Sequence, residues 1–249
     1  MILTSKNNPL IKETASLKEK KGRKQTGLFL VEGIKMSREV LKSDFEVERV
    51  FVAESFHGEL PFAKEIITWV SDDVLAYLSD EKTPQGVLCR VKIPQRALEK
   101  PKASCLFLDG VADPKNVGAI VRTANAAGYD EIYLAENCAD PYSPKSVRAS
   151  MSGIFFTKLY FGEREKILSV LDGTPLIVAD MDGENAFSFT APEKFALAIG
   201  NEANGISAET TEKASYTVKI PMRATQESLN AAVSAGILMY QLKKSEFNK

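Results

Sequence analysis

Histidine is almost absent from this chain: His57 is the only one among 249 residues. Ser-His-Asp and Cys-His catalytic sets would have to be built on that one imidazole, and zinc sites that need several cannot form. His57 stands in "AESFHGELPF", a Gly- and Pro-bearing loop, and is expected to be an ordinary exposed loop residue. Cysteine is scarce as well. Cys89, Cys105 and Cys138 are odd in number and far apart, which leaves neither a disulfide framework nor a Cys-x-x-Cys metal site. The longest small or apolar run, "NAAVSAGILMY", falls well short of the roughly 20 residues that span a bilayer, and "MILTSKNNPLIK" has no signal-peptide core. The expectation is a cytoplasmic protein with no membrane segment and no metal.

What is present is ordinary in bulk and uneven in detail. At 44% hydrophobic and 26% charged, 249 residues suit one large or two modest soluble domains. A net charge of -1 argues against a surface that coats nucleic acid generally. Yet the first 30 residues carry Lys6, Lys12, Lys18, Lys20, Lys21, Arg23 and Lys24 against Glu13 and Glu19, with "KEKKGRK" at the centre. Such a patch is what a phosphate backbone requires, although on charge alone a solvated helix end and loop explains it equally well.

Strand-like and helix-like stretches alternate along the chain. A helical stretch near residues 7 to 20 precedes "LFLVEG", "IKMSREVLK", "VERVFVAE", "IITWV", "SDDVLAYLSD" and "GVLCRVK". Residues 93 to 103, "IPQRALEKPKA", are polar, proline-bearing and aperiodic, and read as a linker. Strands "CLFLDGV", "EIYLAE", "TKLYF", "PLIVADM", "FALAIG" and "YTVKIP" come next, separated by helical segments and closed by a helix from about Glu227 to Lys243. This α/β alternation predicts parallel sheets covered on both faces. It divides the chain into a domain at 1–92, the linker 93–103 and a domain at 104–249.

The stretch "LFLDGVADPKNVGAIVRTANAAGYDEIYLAE" opens like a nucleotide-binding unit, but its loop carries Asp113, Pro114, Asn116 and Gly118. It is neither a dinucleotide fingerprint nor a P-loop. Val117, Ile120, Val121, Ala124 and Ala127 form one buried stripe of the helix after that loop, and Arg122 lies off it. Taken alone, Arg122 reads as an exposed helix arginine, Asn116 as a helix cap and Pro114 as a first-turn residue. "FALAIGNEANGIS" runs a strand into a turn, with Ser207 placed to cap the next segment, at the strand end where ligands bind in open α/β sheets. In "VKIPMRATQESLNAAVSAGILMYQL", Leu229, Ala232, Val233, Gly236, Ile237 and Tyr240 are expected to form the buried stripe. Ala231, Ser234 and Ala235 keep the rest of that helix narrow, and Ser228 and Asn230 could be caps.

Together, "DGVADPKNVGAIVRTANAAG", "IGNEANGIS" and "IPMRATQESLNAAVSAGILMYQL" resemble the three ordered motifs of the SpoU (TrmH-type) RNA ribose 2′-O-methyltransferases of the SPOUT superfamily. The first 92 residues resemble that family's substrate-binding domain, whose fold is similar to ribosomal protein L30e, with "TGLFLVEG" and "TPQGVL" as the weaker signals. The resemblance implies a C-terminal α/β SPOUT domain with a parallel sheet and a deep trefoil knot, beside a smaller N-terminal α/β domain. It implies S-adenosylmethionine as cofactor, with Gly200, Ile220 and Leu229 holding it through backbone groups and Met222 against the adenine. Asn116, Arg122, Glu202, Ser228 and Asn230 carry over as the catalytic constellation. The family places Arg122 beside the cofactor of the other subunit of a homodimer formed by the C-terminal domain.

Methyl transfer from a sulfonium needs in-line geometry and removal of a ribose hydroxyl proton, without metal or histidine. The family's proposal makes Arg122 the base, but a pKa above about 12 favours a clamp on the neighbouring phosphate and a stabiliser of the forming alkoxide. Lys20, Lys21, Arg23 and Lys24 are the expected RNA-binding residues of the N-terminal domain. The extra domain favours rRNA, 23S in particular, over tRNA. A non-catalytic RNA-binding or ribosome-assembly factor is the other reading, and one that would have no need to keep all five polar residues.

Overall fold

The computed structural model describes residues 2–226 and 228–247. Contacts divide the chain into two compact units, one formed by residues up to Gln95 together with Tyr142–Phe155, the other by Arg96–Pro141 and the chain from Phe156 onward. The segment Tyr142–Phe155, which the sequence assigns to the 104–249 region, thus packs with the N-terminal unit.

The first unit runs α1 (Pro9–Ser16), α2 (Lys20–Thr26), β1 (Leu28–Glu32), α3 (Ile34–Val40), β2 (Val47–Ala53), β3 (Ile67–Val70), α4 (Asp72–Leu78) and β4 (Val87–Lys92). The helix expected near residues 7 to 20 is α1, which ends at Ser16, and α2 is a further helix that begins at Lys20. Its sheet has the order β1-β4-β2-β3, and here the all-parallel expectation fails. β4 returns antiparallel between β1 and β2, and only β2 and β3 run parallel. Leu28 and Leu30 of β1 point to one face, where Ile11 and Leu17 of the α1 region and Val74, Leu75 and Leu78 of α4 complete the core. Phe29 points to the other face, with Phe45 at 5.9 Å and Tyr142 at 4.9 Å between ring centroids. Aromatic burial therefore explains why Tyr142–Phe155 belongs to this unit. His57 is exposed in its loop.

The second unit is built as expected. Six strands, β5 (Cys105–Asp109), β6 (Glu131–Ala135), β7 (Lys158–Gly162), β8 (Leu176–Asn185), β9 (Ala196–Gly200) and β10 (Tyr216–Lys219), form one parallel sheet in the order β10-β8-β9-β5-β6-β7. β5, β6 and β9 are near-continuous buried apolar runs, as strands covered on both faces require, whereas β8 is mostly exposed from Asp180 on and the edge strand β10 buries only Val218. The helices are α5 (Pro114–Ala126), α8 (Arg164–Leu171), α9 (Ala208–Glu212), α10 (Ala231–Leu242) and α11 (Lys244–Phe247), while α6 (Pro144–Ser150) lies in the first unit and α7 (Gly153–Phe156) ends where the second resumes. The last long helix begins at Ala231, and its expected first residue, Glu227, lies outside the described residues. No helix among the described residues is long and apolar enough to cross a membrane.

The buried stripe of α5 is the expected one, Val117, Ile120, Val121 and Ala124, with Ala127 just beyond. That of α10 is not. Ala231, Ala235, Leu238, Met239 and Leu242 are buried, whereas Val233 is 51% and Tyr240 44% exposed. The helix is apolar nearly all round, so periodicity does not select the face that packs: of the expected stripe Leu229, Ala232, Gly236 and Ile237 are half-buried, and Val233 and Tyr240 are exposed.

Candidate active site

The carboxyl ends of β5 and β9 lie side by side, with Asp109 in register with Gly200. The turn after β9 is narrow: Asn201 and Gly205 exchange backbone hydrogen bonds at 2.9 Å in both directions. Gly205 takes φ +67°, and a Cβ on Gly200 would stand 2.3 Å from the Gly205 carbonyl carbon, so this turn needs glycine at both places. Asn201 donates its amide to the Gly110 carbonyl at 2.8 Å, tying the turn to the loop after β5.

Asp109 anchors the base of this arrangement. Its buried carboxylate accepts from the Ser207 hydroxyl at 2.6 Å, the Ser207 amide at 2.9 Å and Arg164 Nε at 2.7 Å. Burial alone would raise its pKa, but these donors outweigh burial and hold the carboxyl below the ordinary range. Ser207 also caps α9 as expected, accepting from the Thr210 amide at 3.3 Å. Asp109, Arg164 and Asn201 were not singled out in the sequence; an acid ending an otherwise apolar strand, "CLFLD", was the available signal for the first.

Above that base, three expected residues meet. Asn116 is 7% exposed and is not the cap of α5; that position belongs to Asp113, whose carboxylate accepts the Lys115 amide at 2.7 Å. Asn116 instead donates its Nδ2 to Glu202 at 2.8 Å and accepts Asn230 Nδ2 at 2.9 Å. Asn230 does cap α10, accepting from the amides of Ala232 at 2.9 Å and Val233 at 3.3 Å. Glu202 accepts further from the backbone amides of Ala112 at 3.0 Å and Asp113 at 3.3 Å. Burial pushes its carboxyl up, and the bonds from Asn116 and these amides more than reverse that, leaving it below the usual carboxylate range. One residue from each of the three motifs is thereby joined in a single chain, Glu202 to Asn116 to Asn230.

Arg122 and Ser228 do not join it. Arg122 is exposed, lies about 9 Å further along the helix axis than Asn116, and makes no hydrogen bond or ion pair among the described residues. Ser228 is exposed with its hydroxyl likewise unbonded, while its carbonyl accepts Gln226 Nε2 at 2.8 Å. Ile220, Met222 and Leu229 are half-buried, and among the described residues their backbone amides have no acceptor. Backbone amides of half-buried residues that have no acceptor among the described residues are groups that a ligand can satisfy.

In the other unit, Lys20, Lys21 and Lys24 are exposed on α2. Arg23 is not: it is 4% exposed and donates to the carbonyls of Leu17 at 2.8 Å and Lys18 at 2.9 Å. Its guanidinium closes the end of α1 and is unavailable to a phosphate, which corrects the reading of all four cations as RNA contacts. The thiols of Cys89 and Cys105 are buried and pushed up to about 12, and that of Cys138 to about 11, so none is poised as a nucleophile.

Residues 103–240 match the SpoU rRNA Methylase family, and residues 8–89 match the MRM3-like substrate binding domain. The 23S rRNA (guanosine(2553)-2′-O)-methyltransferase RlmP of Bacillus subtilis is 30% identical over 252 residues, covering 97% of this chain and 98% of its own. The 23S rRNA (uridine(2479)-2′-O)-methyltransferase of Streptomyces viridochromogenes is 27% identical, covering 96% of this chain and 90% of its own. The AdoMet-bound rRNA methyltransferase of Sinorhizobium meliloti superposes with a TM-score of 0.88 at 25% identity, covering 98% of each chain. The motifs, the parallel sheet that carries them and these matches over nearly the whole length agree: the chain belongs to the SpoU rRNA Methylase family.

Proposed function

We propose that the protein transfers the methyl group of S-adenosylmethionine to a ribose 2′-hydroxyl of 23S ribosomal RNA. The observation that carries this is the Glu202–Asn116–Asn230 chain, which draws one polar residue from each motif to the strand ends; the amides of Ile220, Met222 and Leu229, in the segment that leads to Asn230, have no acceptor among the described residues. Those amides, with the glycine turn at Gly200, fit a cofactor held mainly by backbone groups, and half-buried Met222 fits a contact with its base. When bound, S-adenosylmethionine supplies a methyl group already activated by a positively charged sulfur. The chain's own residues then have to orient the ribose and manage one proton.

Arg122 is exposed and has no side-chain partner among the described residues, which suits it to clamp the phosphate beside the target ribose and to stabilise the alkoxide forming at the 2′-oxygen. A guanidinium, with its pKa above about 12, suits that role better than the role of base. Ser228, whose hydroxyl has no partner among the described residues, offers it to the ribose, and Asn230 holds the start of α10 in place. Glu202 keeps the loop before α5 fixed through the Ala112 and Asp113 amides.

The protein acts as a cytoplasmic homodimer. Val233, Tyr240 and Phe247 are exposed on α10 and α11, with the Tyr240 and Phe247 rings stacked at 5.1 Å, and this apolar face supports a second copy as partner. Arg122 stands outside its own chain's polar cluster, which supports its acting at the partner's site. A trefoil knot is the connection we infer, and what supports it is that β10 pairs at the edge of the sheet beside β8 whereas α10 packs on α5 and β9 further in, so the chain returns across the sheet between them.

The whole-length relatives favour ribosomal RNA over tRNA. The test is a map of 23S ribose methylation, read as resistance to alkaline cleavage, in cells with and without the gene. Loss of one methylated 23S nucleotide on deletion is expected. An unchanged 23S map, with the loss falling in a tRNA, refutes the substrate.

A further inference from the structure

At one corner of the N-terminal unit α1, α2 and the end of α4 are locked together. A Cβ on Gly22 would stand 2.1 Å from the Ser16 carbonyl oxygen, so only glycine lets α2 close against the end of α1. The next residue, buried Arg23, holds the carbonyls of Leu17 and Lys18 and thereby fixes the backbone from which Lys18 extends. Lys18 in turn donates to the Tyr77 carbonyl at 2.7 Å, and its ammonium lies 5.4 Å from the centre of the Tyr77 ring. Lys6 approaches the same ring at 5.9 Å.

Packing does not account for Tyr77. The residue is 39% exposed, and among the described residues its hydroxyl has no hydrogen-bond partner. An exposed flat ring flanked by ammonium groups has the chemistry that binds an unpaired nucleobase: the ring stacks and the cations meet the neighbouring phosphates. The surroundings favour that polyanion. Lys20, Lys21 and Lys24 are exposed on the adjoining α2, while Glu13 is taken up by Arg90 at 2.8 Å and Asp80 by Arg148 at 2.6 Å; exposed Glu19 and Asp73 stand against these three lysines, Lys6 and Lys18, so cations still predominate. Lys18 is anchored to a carbonyl, whereas Lys6 has only the ring, so an arriving base can displace the Lys6 ammonium toward a phosphate.

We propose that this corner is a nucleobase platform: an unpaired base of the RNA substrate stacks on Tyr77 while Lys6, Lys18 and the α2 lysines hold the phosphates on either side. The inference rests on RNA as substrate and adds that the N-terminal unit reads a single-stranded segment rather than a duplex.

The test uses the full chain with two probes, a short single-stranded oligouridine and an RNA duplex of the same length, followed by anisotropy. Tyr77→Ala is expected to weaken single-strand binding on the order of ten- to a hundred-fold and to leave duplex binding unchanged, whereas Tyr77→Phe, which keeps the aromatic face, stays within about twofold for both. Ultraviolet irradiation of the unaltered protein on oligouridine should yield a cross-link that mass spectrometry places at Tyr77. Wild-type affinity in Tyr77→Ala, an equal loss for both probes, or cross-links that avoid Tyr77 would each overturn the platform. Methylation of 23S RNA by the unaltered protein reports on the parent reading separately: if methylation occurs and Tyr77 is silent, only the platform is lost.

Discussion

Replacing Arg122 by alanine should separate catalysis from folding, and the structure sets the size of each effect. The side chain is exposed and bonds to nothing among the described residues. Surface changes of that kind stay within about 0.5 kcal/mol, and alanine is at least as good a helix former as arginine, so the melting temperature should move by no more than about 2 °C. The amides of Ile220, Met222 and Leu229, which have no acceptor among the described residues, are untouched, and cofactor affinity, read by calorimetry, should hold within about twofold. Methyl transfer to undermethylated 23S RNA should fall by about a hundred- to a thousand-fold, the usual loss when one donor to a developing oxyanion is removed.

A mixing experiment then asks where the arginine acts. Arg122→Ala and Asn230→Ala subunits, each expected to be inactive alone, are co-expressed with different tags. If Arg122 serves the partner's site, each mixed dimer contains one site with both residues intact, and random pairing returns roughly a quarter of wild-type activity. If Arg122 serves its own chain's site, every site lacks one residue and nothing returns. Near-normal transfer by Arg122→Ala, or an unfolded variant, would refute the role; no recovery on mixing would refute the shared site.

Gly200→Ala should collide with the Gly205 carbonyl and the Ile206 amide; an overpacking cost of about 1–3 kcal/mol is expected, together with a loss of cofactor binding, and unchanged calorimetry would contradict the tight turn. Glu202, whose carboxyl is held low, should contribute stability that is fully present above its unfolded pKa near about 4.3 and is lost as pH falls through the lower folded value. Thermal melts across that acid range should show a step in the native protein that Glu202→Gln removes. Neutralising Lys20, Lys21 and Lys24 together should leave the melting temperature alone and flatten the salt dependence of RNA binding by about 0.7 to 0.9 log units per lost contact. Arg23→Gln should do the reverse, lowering the melting temperature because two carbonyls lose a charged donor.

The two lysine-run outcomes show where the sequence was legible. "KEKKGRK" displays its charges but not their directions, and Arg23 differs from its neighbours only because Gly22 brings α2 against α1, a contact that no count of charges contains. The stripe of α5 could be read because its apolar and polar positions alternate at helical spacing. α10 could not, since alanine, glycine, leucine, isoleucine and methionine surround its axis and the choice of buried face is made by α5 and β9. The second sheet was readable from its apolar runs. In the first, the same alternation of elements hid β4, whose antiparallel place between β1 and β2 is fixed by pairing between distant residues. The motif residues were legible as a set through their resemblance to a family, while the bonds that join three of them and omit Arg122 and Ser228 became visible only in three dimensions.

Those bonds also explain why amides stand where they do. Glu202 is acceptor-only and already faces two backbone N–H groups, so its third partner must be a donor. The Asn230 side-chain oxygen is occupied by the first turn of α10, which leaves it only a donor to offer toward α5. A single group between them therefore has to donate on one side and accept on the other at the same moment, with the short reach available inside the first turn of α5. Serine has one proton and a shorter arm, aspartate would set a second carboxylate against Glu202, and glutamine is one methylene too long for a buried site. Asparagine at 116 meets all three conditions, and its burial fixes which way the amide faces, so three segments far apart in the chain come into register through one side chain.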